Sequence, residues 1–239
     1  MNFQEKKVYL PFAIILGIVL ILGLLWYYQG QGILKIFPTR EDREIKKILQ
    51  IDRSKFKAAQ GLSQEQFESE IKRLEERKQK IIDNPQDAQA WFDFGYTKEF
   101  LNDHEGAVAS WEKSFALQPL NFVTAANLAN TYQYFLKNYE RAEFYYRKAL
   151  EIRPGYTPAY QGLSDLYRFN WSEKSDLFEP LMFEAIKNDP DNANAYTASL
   201  VEFFVRKNDL ARAREYLALL KEVSSDTAQE LIETYPALK

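Results

Sequence analysis

The chain contains no cysteine. That excludes disulfide frameworks, thiolate zinc sites, cysteine nucleophiles and CxxC redox chemistry. It has a single histidine, His104, so a site built on two or more histidine ligands, or on several histidine bases, is excluded as well. No glycine-rich phosphate loop, nucleophile elbow or paired-carboxylate motif stands out from the ordinary acids. His104 lies in the polar turn Asn102-Asp103-His104-Glu105, and a metal reading of Asp103, His104 and Glu105 has no second ligand cluster to support it. The expectation is therefore a protein that is not an enzyme and carries no cofactor. A strong charge bias is also lacking: 31 Lys+Arg stand against 34 Asp+Glu, for a net charge of −3 in 239 residues.

The sequence does have one long apolar run. From Val8 to Tyr28 there are 21 residues without a charge, interrupted only by Pro11, Gly17 and Gly23. As a helix rising about 1.5 Å per residue, such a run spans roughly the 30 Å of a bilayer hydrocarbon core. Lys6 and Lys7 close one end. Trp26, Tyr27 and Tyr28 close the other, where aromatic rings favour the headgroup zone. A cleaved signal peptide has a shorter apolar core, about 7–15 residues, followed by a small-residue site. The reading is thus an uncleaved transmembrane anchor, 8–28, behind a tail, 1–7. Gly17 and Gly23 are too far apart for a GxxxG pairing motif. Two orientations compete. The basic residues after the span, counted over its flank, favour a cytoplasmic distal part. The short basic tail ahead of the run resembles a bacterial signal-anchor, which exports the domain C-terminal to it. We read the N-terminus as cytoplasmic and the distal domain as extracytoplasmic, with a cytoplasmic domain as the alternative.

Charge divides the remainder. Residues 1–84 carry a net +4 and residues 85–239 a net −7. The basic excess sits in 35–57, within a helical stalk, 29–84. It is read as a solvated juxtamembrane helix, or as a site for anionic headgroups. The acidic distal part argues against nucleic acid, since phosphate binding needs a basic face. Thr39 followed by Asp42 predicts a helix cap, with a helix through about Ile51. Ser63 and Gln66 form a capping-box pattern. Phe67, Ile71, Leu74 and Ile81 then make an apolar seam interrupted by Lys78. That helix either packs on the segment after residue 84, which we favour, or pairs two chains as a short coiled coil. Homo-oligomerisation is possible but not indicated.

Beyond residue 84 the chain repeats. Pro85, Pro119, Pro154 and Pro190 are 34, 35 and 36 residues apart. Each precedes two apolar helical segments: Ala88-x-Ala90-Trp91-x-x-Phe94-Gly95 with Ala107-x-x-x-Trp111; Leu128-Ala129-x-x-Tyr132 with Ala142-x-x-x-Tyr146-x-x-Ala149; Tyr160-x-x-Leu163 with Met182-x-x-Ala185; Ala193-x-Ala195-Tyr196 with Ala213-x-x-x-Leu217. This pattern of small residues, large residues and a closing proline resembles the tetratricopeptide repeat (TPR). The resemblance covers 85–223, as units 85–118, 119–153, 154–189 and 190–223. It implies an all-α solenoid of helical hairpins, four repeats with a capping helix at 224–239 (Ala228, Leu231, Ile232, Tyr235), behind the N-terminal transmembrane helix. Small residues such as Gly95, Ala107 and Ala129 would let paired helices approach. Trp91, Tyr132, Tyr160 and Tyr196 would fill the gaps between hairpins. The third unit departs from the pattern. Phe178 stands where a small residue belongs, Pro180 implies a shortened or kinked helix, and Trp171 sits in an enlarged loop, as a partner contact or folded back on its hairpin. In the fourth, Ser199-Leu200 replaces large-then-small.

The TPR resemblance implies that a protein or peptide partner is held in a concave groove lined by the first helices. The groove positions fall on Gln89, Phe92, Tyr96 and Glu99; on Val123, Ala126, Asn130, Gln133 and Tyr134; on Gln161, Asp165, Arg168 and Phe169; and on Asn194, Thr197, Val201 and Phe204. Phe92 and Tyr96 occupy places where the family's carboxylate clamp uses Lys and Asn, so that clamp is absent. Aromatics and amides suit an apolar or extended segment. Two functions are open: a membrane-tethered interaction module using the groove, or a structural component of a membrane, envelope or secretion assembly using other faces. In either, the groove could instead be filled by the chain's own C-terminal helix.

Overall fold

The computed structural model describes residues 5–31, 38–56 and 63–239, and side chains from residue 14 onward. It is all-α: twelve α-helices are present among the described residues, and no strand. The chain forms two compact units, Met1–Gln50 and Ile51–Lys239.

The first unit holds α1 (Glu5–Gly30) and α2 (Arg40–Ile48). Thr39 caps α2 in a full capping box, with its hydroxyl accepting from the Asp42 amide at 3.0 Å and the Asp42 carboxylate accepting from the Thr39 amide at 2.8 Å. The helix ends at Ile48, three residues before the expected Ile51. The expected transmembrane span, 8–28, is not recovered: among the described residues no helix is long and apolar enough to cross a membrane. The side chains of 8–13 lie outside the described residues.

The second unit begins with α3 (Gln64–Asp83), whose N-terminus carries the Ser63/Gln66 capping box. Ile71, Leu74 and Ile81 are buried within the chain. Packing on α4 (Ala88–Phe100) covers this seam, and Arg77 ties the two helices by donating to the Asp93 carbonyl at 2.7 Å and to the Thr97 hydroxyl. The seam is therefore occupied within one chain and offers no coiled-coil face.

Four hairpins come next: α4 with α5 (His104–Leu117), α6 (Phe122–Tyr134) with α7 (Tyr139–Ile152), α8 (Thr157–Asp165) with α9 (Phe178–Asn188), and α10 (Ala193–Arg206) with α11 (Leu210–Val223). Each packs on the next, α5 on α6, α7 on α8 and α9 on α10. The stacking buries a continuous core no single hairpin could form. Trp91 and Tyr160 are fully buried, and Tyr132 and Tyr196 nearly so. Gly95 permits a close approach in the first hairpin: a Cβ there would lie 2.8 Å from the Trp111 ring. The last helix, α12 (Ser225–Thr234), packs on α11 and α10 through Ala228 and Leu231. It caps the end of the stack, in the place a further hairpin would take.

The third hairpin departs from the others. After Asp165 the chain makes a π-helical turn, Leu166–Asn170, closed by the Trp171 amide donating to the Leu166 carbonyl at 2.7 Å. A 3-10 segment, Ser172–Leu177, leads into α9. Pro180 lies in the first turn of α9, where its missing N–H costs no bond, so the helix is short, 11 residues against 14 in α5, α7 and α11. Phe178 is fully buried and stacks against Phe203 at 4.5 Å. Trp171 is half-buried against the preceding hairpin rather than only its own, with its ring 6.3 Å from Tyr139 of α7 and under the Lys174 ammonium at 4.1 Å.

Candidate functional site

The first helices of the hairpins, α4, α6, α8 and α10, carry the residues that the sequence assigns to a groove. Gln89, Tyr96, Val123, Asn130, Tyr134, Gln161, Phe169 and Asn194 are exposed there. Tyr96 is 56% exposed, Phe169 54% and Tyr134 40%. Exposed rings of this size offer apolar contact area at the surface. Phe92, Glu99, Asp165 and Thr197 are half-buried.

Four expected groove residues do not reach the surface. Ala126, Gln133, Val201 and Phe204 are buried. Gln133 turns inward because Tyr146 of α7 needs a partner: its amide lies 2.7 Å from the Tyr146 hydroxyl and 2.7 Å from the Asn170 side chain. Phe204 stacks on Tyr216 at 5.5 Å, under the Arg212 guanidinium at 4.2 Å, because α11 closes over it. Arg168 is nine-tenths buried and paired with Glu202 at 3.0 Å.

Polar links join the first helices across the repeats. Glu99 of α4 accepts from the Thr131 hydroxyl of α6 at 3.2 Å, and its other oxygen lies 3.0 Å from His104 Nδ1. His104 in turn stacks on Phe135 at 3.9 Å. The one histidine is thus engaged at the junction of the first two hairpins, and among the described residues no group of three His, Asp or Glu could hold a metal ion. Asn130 accepts from the Tyr146 hydroxyl at 2.6 Å. Tyr134 donates to Asp165 of α8 at 3.0 Å. Burial, reinforced by the Asp165 charge, pushes the Tyr134 hydroxyl up to about 12.

The π-turn decides what projects from the third hairpin. It turns Arg168 inward over Phe178, at 5.3 Å, and leaves Phe169 outside between the Arg168 and Arg206 guanidiniums, at 4.8 and 5.0 Å. Arg206 is a member of this surface that sequence reasoning missed. Only the irregular turn brings Phe169 to it, and nothing in the local sequence spacing announces a π-turn.

Comparison with known proteins agrees with this architecture. A family model described as tetratricopeptide repeat matches residues 124–156. The crystal structure of MamA has a TM-score of 0.54 at 16% identity, covering 84% of this chain and 100% of that one. MamA from residue 41 to the end, from Desulfovibrio magneticus RS-1, has a TM-score of 0.50 at 22% identity, covering 66% and 86%. At these identities the likeness is one of fold. No curated protein matches the chain in sequence.

Proposed function

We propose that this chain, a tetratricopeptide repeat protein, holds an extended peptide or protein segment against the exposed face of α4, α6, α8 and α10. The observation that carries the reading is the row of Tyr96, Val123, Tyr134 and Phe169, left exposed between amides at Gln89, Asn130, Gln161 and Asn194. Rings supply apolar contact at low entropic cost, and amides both donate to and accept from a peptide backbone. α12 packs on the last hairpin, which favours an open groove over one filled by the C-terminus.

The test uses random dodecapeptides displayed on phage and selected on the purified full-length protein in detergent micelles. Tyr96→Ala with Asn194→Ala alters two exposed side chains at opposite ends of the row. Retention of the selected peptides should fall about tenfold or more, with circular dichroism and melting unchanged. Equal retention would refute the groove.

The same reading includes a membrane tether. Its support is the uncharged run Val8–Tyr28 within the continuous helix α1, and the exposure of Ile14, Ile15, Leu16, Ile18, Val19 and Leu20 along it. With Lys6 and Lys7 inside, the repeats would lie outside the cytoplasm. Added protease should therefore digest the repeats in intact spheroplasts, and full protection would reverse the orientation. A structural role in an envelope assembly is the second reading. It is favoured by exposed Phe144 and Phe183 on the second helices α7 and α9.

A further inference from the structure

Five carboxylates that bridge elements of the stack are paired with a cation from the chain itself. Glu112 faces Arg141, Glu143 faces Lys174 at 2.5 Å, Glu184 faces Arg147 at 2.6 Å, Glu179 faces Arg212, and Glu202 faces Arg168 at 3.0 Å. Asp165 differs. It sits on the groove between the second and third hairpins and accepts from the Tyr134 hydroxyl, a neutral donor. Among the described residues it makes no ion pair.

The surroundings of Asp165 are regular. Asn130 and Tyr134 are one turn apart on α6, and Gln161 and Asp165 are one turn apart on α8, on helices that contact each other. The result is a small patch of two amides, an exposed phenol ring and a carboxylate. Resting on the groove reading above, we propose that this patch is a specificity pocket for the side chain of a lysine or arginine in the bound segment. The cation would take the ion-pair place that Glu112, Glu143, Glu179, Glu184 and Glu202 have filled from within the chain. The Tyr134 ring would receive the alkyl stem and the charge on its face. Asn130 and Gln161 would hold the flanking backbone. The net −7 of residues 85–239 adds long-range attraction for such a segment.

The displayed dodecapeptides test this on the full-length protein. Peptides retained by the wild type should be enriched in Lys or Arg and depleted of Asp and Glu. Asp165→Asn is isosteric and keeps the acceptor for Tyr134, so its melting should match the wild type. A selected peptide should bind it about tenfold more weakly than the wild type, with much of the salt dependence gone. Replacing the peptide's Lys by norleucine should cost the wild type the same factor and cost Asp165→Asn little. Selection without Lys or Arg enrichment, or equal binding to wild type and Asp165→Asn, overturns the basic pocket. If the Tyr96→Ala, Asn194→Ala pair still abolishes retention in that case, the groove survives alone. If retention ignores that pair as well, both readings fail.

Discussion

Tyr146 shows how tightly single side chains are held in this stack. Its ring is fully buried, and its hydroxyl bonds Asn130 on the surface and Gln133 inside. Burial pushes that hydroxyl well above the ordinary tyrosine range. The room for the ring comes from Gly162 of α8, where a Cβ would lie 2.2 Å from the Tyr146 Cζ and 2.5 Å from its hydroxyl. Gly162→Ala should therefore destabilise the protein by about 1–3 kcal/mol, despite the gain in helix propensity, and lower the denaturant midpoint. A neutral or stabilising result would mean that the second and third hairpins are packed less closely than described. Asp189 acts similarly at the next junction. Burial alone would raise its pKa. The Tyr196 hydroxyl at 2.5 Å, the Thr157 hydroxyl at 2.7 Å and the Asn192 amide at 3.1 Å instead hold it below the usual carboxylate range. The stability it contributes is present above the unfolded-state pKa and is lost as pH falls through the depressed folded value.

At the scale of elements, the features legible in the sequence were those that local chemistry decides. The caps at Thr39 and Ser63 appear as expected, because a hydroxyl and an acid or amide three residues on satisfy each other whatever surrounds them. The hairpin turns repeat a second local device. Asn102, Lys137 and Asn208 take positive φ, of 63°, 53° and 58°, and Asp103, Asn138 and Asp209 then cap the next helix. The third hairpin lacks this device and uses the π-turn and 3-10 segment instead. Its Phe178 and Pro180 signalled trouble in the sequence. They could not say that the irregularity would be taken up before α9 rather than within it. The groove residues divide the same way. Tyr96, Asn130 and Asn194 are exposed on the first helices. Gln133, Val201 and Phe204 turn inward because partners distant in sequence, Tyr146 and the α11 and α12 layer, claim them.

At the scale of the whole molecule, the chain comprises an apolar N-terminal helix and a stack of hairpins with a buried aromatic core and exposed rings on its first helices, Tyr96 and Tyr134, and on its second, Phe144 and Phe183. The work proposed for such a surface is contact with a partner. The central claim is that this contact runs through the first helices rather than the second. The most direct measurement places a photo-crosslinking amino acid at Tyr96 on α4, and separately at Phe144 on α7, in the full-length protein expressed in its own cells. A discrete crosslinked species is predicted from position 96 and none from position 144. Crosslinks confined to position 144 would contradict the claim and place the working surface on the opposite helices.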